Sequence, residues 1–498
     1  MNNKQASLSK NYIYNLIYQV LAVIIPIILI PYLSRVLEPT GVGIYSFSFS
    51  VTTYFSYFAL LGVHLYGTKI IALHKDDQKL LKKTFWEIYT LKVFTSLISI
   101  IIFVSILWFL PNPTILLILG LFLVANLVDI TWYHTGSENF KGIVIRNSII
   151  KILTLIAVFL FVKTPNDVWI YACILGGAEL VGQLLLWFEI LFSDLRKDLK
   201  SLKQDFKPLI HLKEMSLLFL PQAIILLYTS LNVTMIGILS NDVEVGYFDV
   251  SSRIINTVLI IATALGTVMI PRITRLYKEQ KLTEVKDLLS KSLKITTYLA
   301  YPMMIGLMSL SSIFVPWFFG NLFIDATIIL GLYALKIGLV TISNVIGIQY
   351  MIPTGKNKAF ITSVSIGAVI TLVLNLILIP IYGALGAVIG SLVAEVFVSM
   401  YQIIVSKSEI NFFKYIKDTY KAFFSSILMG LVVYLLVMYL HPLILNNFSS
   451  INPELLIGIS LIVMAGIGVL LYLFINMILK SQIQNEIISK VLHKVFKG

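Results

Sequence analysis

The 498-residue chain is 58% hydrophobic and only 13% charged, with a mean hydropathy of +0.90, which would leave a soluble globule of this size with far too little polar surface. Its net charge of +13 would suggest nucleic acid in a soluble protein. In a chain dissolved in lipid the placement of basic residues matters more than their sum, and no nucleic-acid partner is expected. The lone Cys173 allows neither a disulfide framework nor a thiolate metal site, and the six histidines have no metal-ligand spacing.

The first eleven residues are polar, and the apolar run after them is longer than twenty residues with no small-residue cleavage site, so it reads as a first span and not a signal peptide. Apolar windows then predict spans near 12–34, 42–66, 85–109, 114–134, 147–163, 168–192 and 215–239, followed by 248–270, 295–317, 324–350, 360–380, 383–405, 419–440 and 454–478. The expectation is an all-α, polytopic membrane protein of about fourteen transmembrane helices. With the N-terminus cytoplasmic, and residues at span ends counted with the adjoining loop, 32 of the 38 lysines and arginines fall inside, two (Arg35 and Lys163) fall outside and four lie within spans. That bias follows the positive-inside rule, predicts both termini cytoplasmic and would be lost if one span were missed. The basic stretches 196–213 and 272–294 are expected to lie along the anionic inner leaflet. Loops are too short for a folded catalytic domain, which needs about 50 residues, so no enzyme is expected.

Four markers recur in one order, which predicts a duplication. Gly43 and Gly62 in the second span match Gly246 and Gly266 in the eighth. Pro165 before Glu179 in the sixth matches Pro380 before Glu395 in the twelfth. The expected organisation is two pseudo-symmetric six-helix lobes, 1–200 and 201–405, and an extra helix pair with a tail, 406–498.

Charges inside spans need a partner, a wet cavity or a route to the interface. Lys92 and Lys151 lie near span ends and can snorkel. Glu87 and Glu189 read as interface residues. Lys336 is central in the tenth span, some 18 Å from either end at about 1.5 Å per residue, and must face a polar interior. Glu179 and Glu395 are comparably deep, and Asp129 sits just over a turn inside the fourth span. Arg253 can pair with Asp249 one turn before it. The alternatives are a ligand and ion path, or buried ion pairs that fix helix packing. Pro26, Pro31 and Pro221 break helices at comparable places in the two halves and are candidate hinges.

Several segments resemble one family: Asn11 to Ala22, Pro31-Tyr32-Leu33-Ser34-Arg35, Gly41 to Phe47, Glu138-Asn139-Phe140-Lys141, Val268-Met269-Ile270-Pro271-Arg272, Pro316-Trp317-Phe318-Phe319-Gly320 and Tyr382-Gly383-Ala384-Leu385-Gly386. In order and over nearly the whole chain, they look like polysaccharide repeat-unit (Wzx-like) flippases of the multidrug/oligosaccharidyl-lipid/polysaccharide (MOP) exporter superfamily. The resemblance implies a two-lobed fold with a cationic cavity and alternating access. Its implied cargo is an undecaprenyl-diphosphate-linked oligosaccharide, moved from the cytoplasmic to the outer leaflet of the bacterial inner membrane for capsule, O-antigen or exopolysaccharide. On that reading Arg35, Arg146, Lys151, Arg253 and Lys336 are candidates for the diphosphate and saccharide path. Asp129, Glu179 and Glu395 are candidates for a coupling ion, a proton or sodium, with no other cofactor. Expected partners are the lipid-linked substrate, the membrane, and polysaccharide polymerase and other assembly proteins; a monomer is expected. Two rivals are a multidrug exporter of the same superfamily, which calls for a carboxylate-dominated cavity, and a membrane glycosyltransferase or polymerase, which calls for a large external loop.

Overall fold

The computed structural model describes the backbone of residues 2–191, 206–417, 419–448 and 452–486, and their side chains apart from 2–23, 140–141, 191, 227–228, 265 and 267–268. The part of the first basic stretch at 196–205 and the tail after 486 lie outside the described residues. Everything regular among the described residues is helical. Lipid offers no hydrogen bonds, so a chain this apolar must satisfy its backbone within each segment.

Two compact units divide the chain, Met1–Gly246 and Tyr247–Gly498. The first opens with α1 (Asn2–Leu60) and α2 (Val63–Leu73). The first two predicted spans thus share one helix, bent at Glu38 (φ 59°, ψ 174°), where the following Pro39 disfavours the helical region. Pro26 and Pro31 lie inside α1. The second span breaks again at Leu61 and Gly62, both at positive φ. A Cβ on Gly62 would stand 2.7 Å from the Met215 carbonyl oxygen. Next come α3 (Gln78–Ile106), α4 (Pro113–Val128), α5 (Thr131–Gly136), α6 (Phe140–Phe161), α7 (Val168–Leu191) and α8 (Leu212–Leu239). Pro221 is inside α8. The stripe Ile25, Leu29, Leu33 and Leu37, one residue per turn of α1, packs on Leu119 of α4, Val158 of α6 and Tyr171 of α7.

The second unit takes most of α9 (Asp242–Lys278) and then α10 (Leu282–Phe319), α11 (Ala326–Tyr333), α12 (Leu335–Ile346), α13 (Asn357–Tyr382), α14 (Ala384–Ser406), α15 (Phe412–Lys417), α16 (Tyr420–Leu435), α17 (His441–Asn447) and α18 (Pro453–Ile478). Single π-helical turns follow α12 at Gly347–Met351 and α16 at Leu436–Leu440. The last helix pair packs on α10: Ser309 donates to the Gly430 carbonyl at 3.0 Å, Tyr472 to the Tyr298 carbonyl at 2.8 Å and Trp317 to the Glu454 carbonyl at 2.9 Å.

Twelve helical stretches among the described residues are long and apolar enough to cross a membrane. The expected fourteen are reached when the bent stretch Ile24–Leu73 is counted as two and the 16-residue Pro113–Val128, too short alone, is included. The basic stretch 272–294 is a correction. It does not form a separate element lying along a leaflet; it continues α9 and α10 to a tight turn at Gln280 (φ 57°).

Two close glycine approaches in the first unit mirror each other. A Cβ on Gly43 would meet the Asp242 carbonyl oxygen at 1.7 Å, and one on Gly246 the Pro39 carbonyl oxygen at 2.2 Å. Asp242 stands before Gly246 as Pro39 stands before Gly43, so the two contacts are reciprocal, the pattern a two-fold repeat produces.

Candidate functional site

The fourth predicted span breaks where its acid lies. Asp129 caps α4 in an extended conformation (φ −66°, ψ 129°), leaving the last carbonyls of the helix without helical donors. Side chains supply them: Trp187 donates to the Val128 carbonyl at 2.6 Å, Tyr89 to that of Leu127 at 3.4 Å and Lys92 to that of Asp129. Lys92 is 0% exposed, which corrects the snorkelling expectation: its ammonium points at the helix break and not at the interface.

A hydrogen-bonded chain runs from that break into a cavity of about 330 Å³ within the first unit, lined by His64, Thr131, Arg146, Asn147, Lys151, Glu179 and Gln183 among others. His64 Nε2 is 3.4 Å from Asp129 Oδ2. The Thr131 amide donates to Asp129 Oδ1 at 2.8 Å, its hydroxyl lies within reach of Gln183 Oε1 at 3.2 Å, and Gln183 Nε2 donates to Glu179 at 2.8 Å. On the other wall the Arg146 guanidinium donates to the Gly182 carbonyl at 2.7 Å and to Asn147 Oδ1 at 2.6 Å. Arg146, Lys151 and Glu179 therefore share one cavity, with Asp129 one hydrogen-bonded step beneath it. Arg35 is exposed on α1 and does not line it.

Within the second unit, Lys336 sits just after the join of α11 and α12, 2.9 Å from the Tyr333 hydroxyl and 5.0 Å from the centre of its ring; the Glu395 charge also acts on it. Glu395 is 3% exposed and accepts from Ser343 at 2.7 Å. Arg253 pairs with Asp249 at 2.6 Å one turn away, so the self-pairing alternative is realised. A polar cluster links the loop after the first π turn to the turn after α14. Lys356 donates to Glu409 at 2.6 Å and Tyr350 donates to its other oxygen at 2.8 Å. The Lys356 hydrogen bond holds the Glu409 carboxyl below the usual carboxylate range, against partial burial, and the Tyr350 hydroxyl lowers it further.

Glu189 is 57% exposed, contacts His134 at 3.1 Å and keeps its interface character. Glu87 does not. At 2% exposed it accepts from the Lys207 amide at 2.7 Å and lies 3.2 Å from His211, whose other nitrogen is 2.7 Å from the Tyr66 hydroxyl. His64, Thr131, Gln183 and the Tyr66–His211–Glu87 cluster were not singled out from sequence. Gln183 had a signal, since it stands four residues after Glu179 on one helical face.

Apolar helices of spanning length with charges gathered inside each unit define the class: an all-α, multi-pass integral membrane protein. Within it, this chain belongs to the polysaccharide biosynthesis protein family, whose profile matches residues 8–277, more than half of its length. It is 26% identical over 413 residues to a candidate O-antigen transporter of Escherichia coli (strain K12), covering 80% of this chain and 96% of that one. A Shigella dysenteriae protein of the same description is 23% identical over 386 residues, covering 76% and 94%. By fold the chain is similar to the lipid II flippase MurJ in an inward closed conformation, with a TM-score of 0.68 and 17% identity over 94% of this chain and 98% of that one. It is also similar to an inward-facing multidrug resistance MATE family transporter of the MOP superfamily, with a TM-score of 0.57 and 12% identity over 78% and 98%. The resemblance read from the sequence, to Wzx-like polysaccharide proteins, therefore holds at the level of the family.

Proposed function

We propose that the protein is a flippase for lipid-linked polysaccharide precursors, not a catalytic enzyme, and that its cargo is an undecaprenyl-diphosphate-linked oligosaccharide. Family membership, together with the match to two candidate O-antigen transporters over nearly their whole length, carries this reading. The first-unit cavity supports it, because it offers a guanidinium suited to forked contact with phosphate oxygens and a lysine as a point charge.

In this scheme Arg35, Arg146, Lys151, Arg253 and Lys336 form the path for diphosphate and sugar. Asp129, Glu179 and Glu395 carry a proton or sodium ion. Alternating access between lobes near 1–200 and 201–405 bends at Pro26, Pro31 and Pro221. The protein works as a monomer in the bacterial inner membrane, termini cytoplasmic, beside the polymerase that uses its product.

Complementation of a flippase-deficient bacterium that supplies one defined repeat unit tests the reading. Surface polymer is scored for wild type and Lys336→Ala at matched membrane levels. Polymer from wild type is expected, and its loss in the mutant places a functional cation at 336. No polymer from wild type, with drug efflux instead, rejects the reading in favour of a drug exporter.

A further inference from the structure

A second cavity, of about 510 Å³, adjoins the polar one and shares Arg146 and Ile150 with it. Its walls are apolar, Ile145 and Ile149 on α6 and Leu185 and Leu186 on α7, and Asn139 donates to Glu189 at 2.7 Å across its outer end. A Cβ on Gly182 would lie 2.8 Å from Ile150 Cδ1, so α6 and α7 are in close contact where the two cavities meet. The surface around this gap is apolar: Ile145, Ile149, Ile152, Leu185 and Phe188 are exposed, as residues facing acyl chains are.

We infer that this α6–α7 groove is a side entrance for the phosphate-bearing lipid of the proposed cargo, its chain along Ile145, Ile149 and Leu185 and its phosphate at Arg146, so that the sugar reaches the polar cavity. The inference rests on the flippase reading and deepens it. Three features select such an amphiphile over a wholly apolar or wholly polar ligand. The groove is apolar, the cavity behind it is polar, and the one charged side chain common to both is a cation. Glu189 does not oppose the phosphate, since seven residues from Gly182 place it about 10 Å further along α7. From Gly142 to Ile150 the groove runs for about 12 Å, close to one leaflet's half of a 30 Å hydrocarbon core. It lies toward the helix ends read as cytoplasmic, where the Asn139–Glu189 hydrogen bond crosses it, so a precursor would enter from the side, along the exposed Ile149 and Leu185.

The test uses the full chain in phosphatidylcholine nanodiscs, with a photo-crosslinking amino acid at position 149 or, as a control, at the exposed Ile260 of α9. Undecaprenyl phosphate is expected to crosslink at 149 about tenfold above undecaprenol, to lose that preference with Arg146→Gln and to recover part of it with Arg146→Lys. Equal capture of the alcohol, equal capture at 260, or full displacement by equimolar phosphatidylglycerol would overturn the site. Complementation separates this from the function itself. Ile149→Trp combined with Leu185→Trp should cut surface polymer about tenfold at matched membrane levels. Full polymer from that variant removes the entrance and leaves the flippase reading intact, whereas no polymer from wild type rejects the flippase reading while the crosslink still decides the groove.

Discussion

Lys92 shows how a charge inside a span can be structural in effect. Its ammonium reaches a carbonyl that the end of α4 leaves open, so Lys92→Ala strands a buried acceptor beside the Asp129 carboxylate. A loss of about 2 kcal/mol is expected, read as a lower melting temperature in detergent, and Lys92→Arg should recover part of it. Unchanged melting in Lys92→Ala would mean that the break at Asp129 needs no cation. Glu409 gives a pH-dependent counterpart outside the spans. Its carboxyl is held below the ordinary value of 4.5 by Lys356. Its contribution is therefore fully present above that value and fades as pH falls through the lower, folded one. The stability gap between wild type and Glu409→Gln should be constant from pH 7 to about 5 and then close on further acidification; a gap independent of pH down to 3 would remove the carboxylate from the clasp.

Among the helices, spanning length and approximate position were legible from apolar windows because lipid demands long runs of apolar residues. The breaks were not. Those at Glu38, Leu61–Gly62 and Asp129 leave composition unchanged, and only Pro39 and Gly62 mark two of them. The site was half visible for a similar reason. Arg146, Lys151 and Glu179 stand out as charges in apolar surroundings, whereas His64 and Thr131 join them only through folding, and Glu87 looked like an interface residue because its partners, His211 and the Lys207 amide, come from a distant segment. The glycine pair gives a prediction at this scale. At both Gly43 and Gly246 a Cβ would strike a backbone oxygen, which no rotamer can relieve. Alanine at either should cost about 3 kcal/mol or more and abolish a monodisperse peak in size-exclusion chromatography. Tolerance at both would show that the packing between these two segments is loose.

At the scale of the whole molecule, the candidate path and ion residues divide into two sets by unit: Arg35, Asp129, Arg146, Lys151 and Glu179 in the first, Arg253, Lys336 and Glu395 in the second. If both sets serve one cargo, Arg146→Gln and Lys336→Ala should each lower flipping, and the double variant should fall short of the sum of the two effects. Strict additivity in surface polymer yield would indicate that the two sets act independently.

The hairpin of α9 and α10 is a practical landmark. Its arms run past the predicted spans by about 12 to 20 Å at 1.5 Å per residue, ending in the exposed turn at Gln280. Membrane proteins of this size made mostly of spanning helices are hard to orient as single particles in electron micrographs. A short epitope inserted between Glu279 and Lys281 and bound by an antibody fragment would give each image a rigid pointer along two continuous helices, and accessibility of the same epitope in sealed vesicles would report which face of the bilayer it occupies.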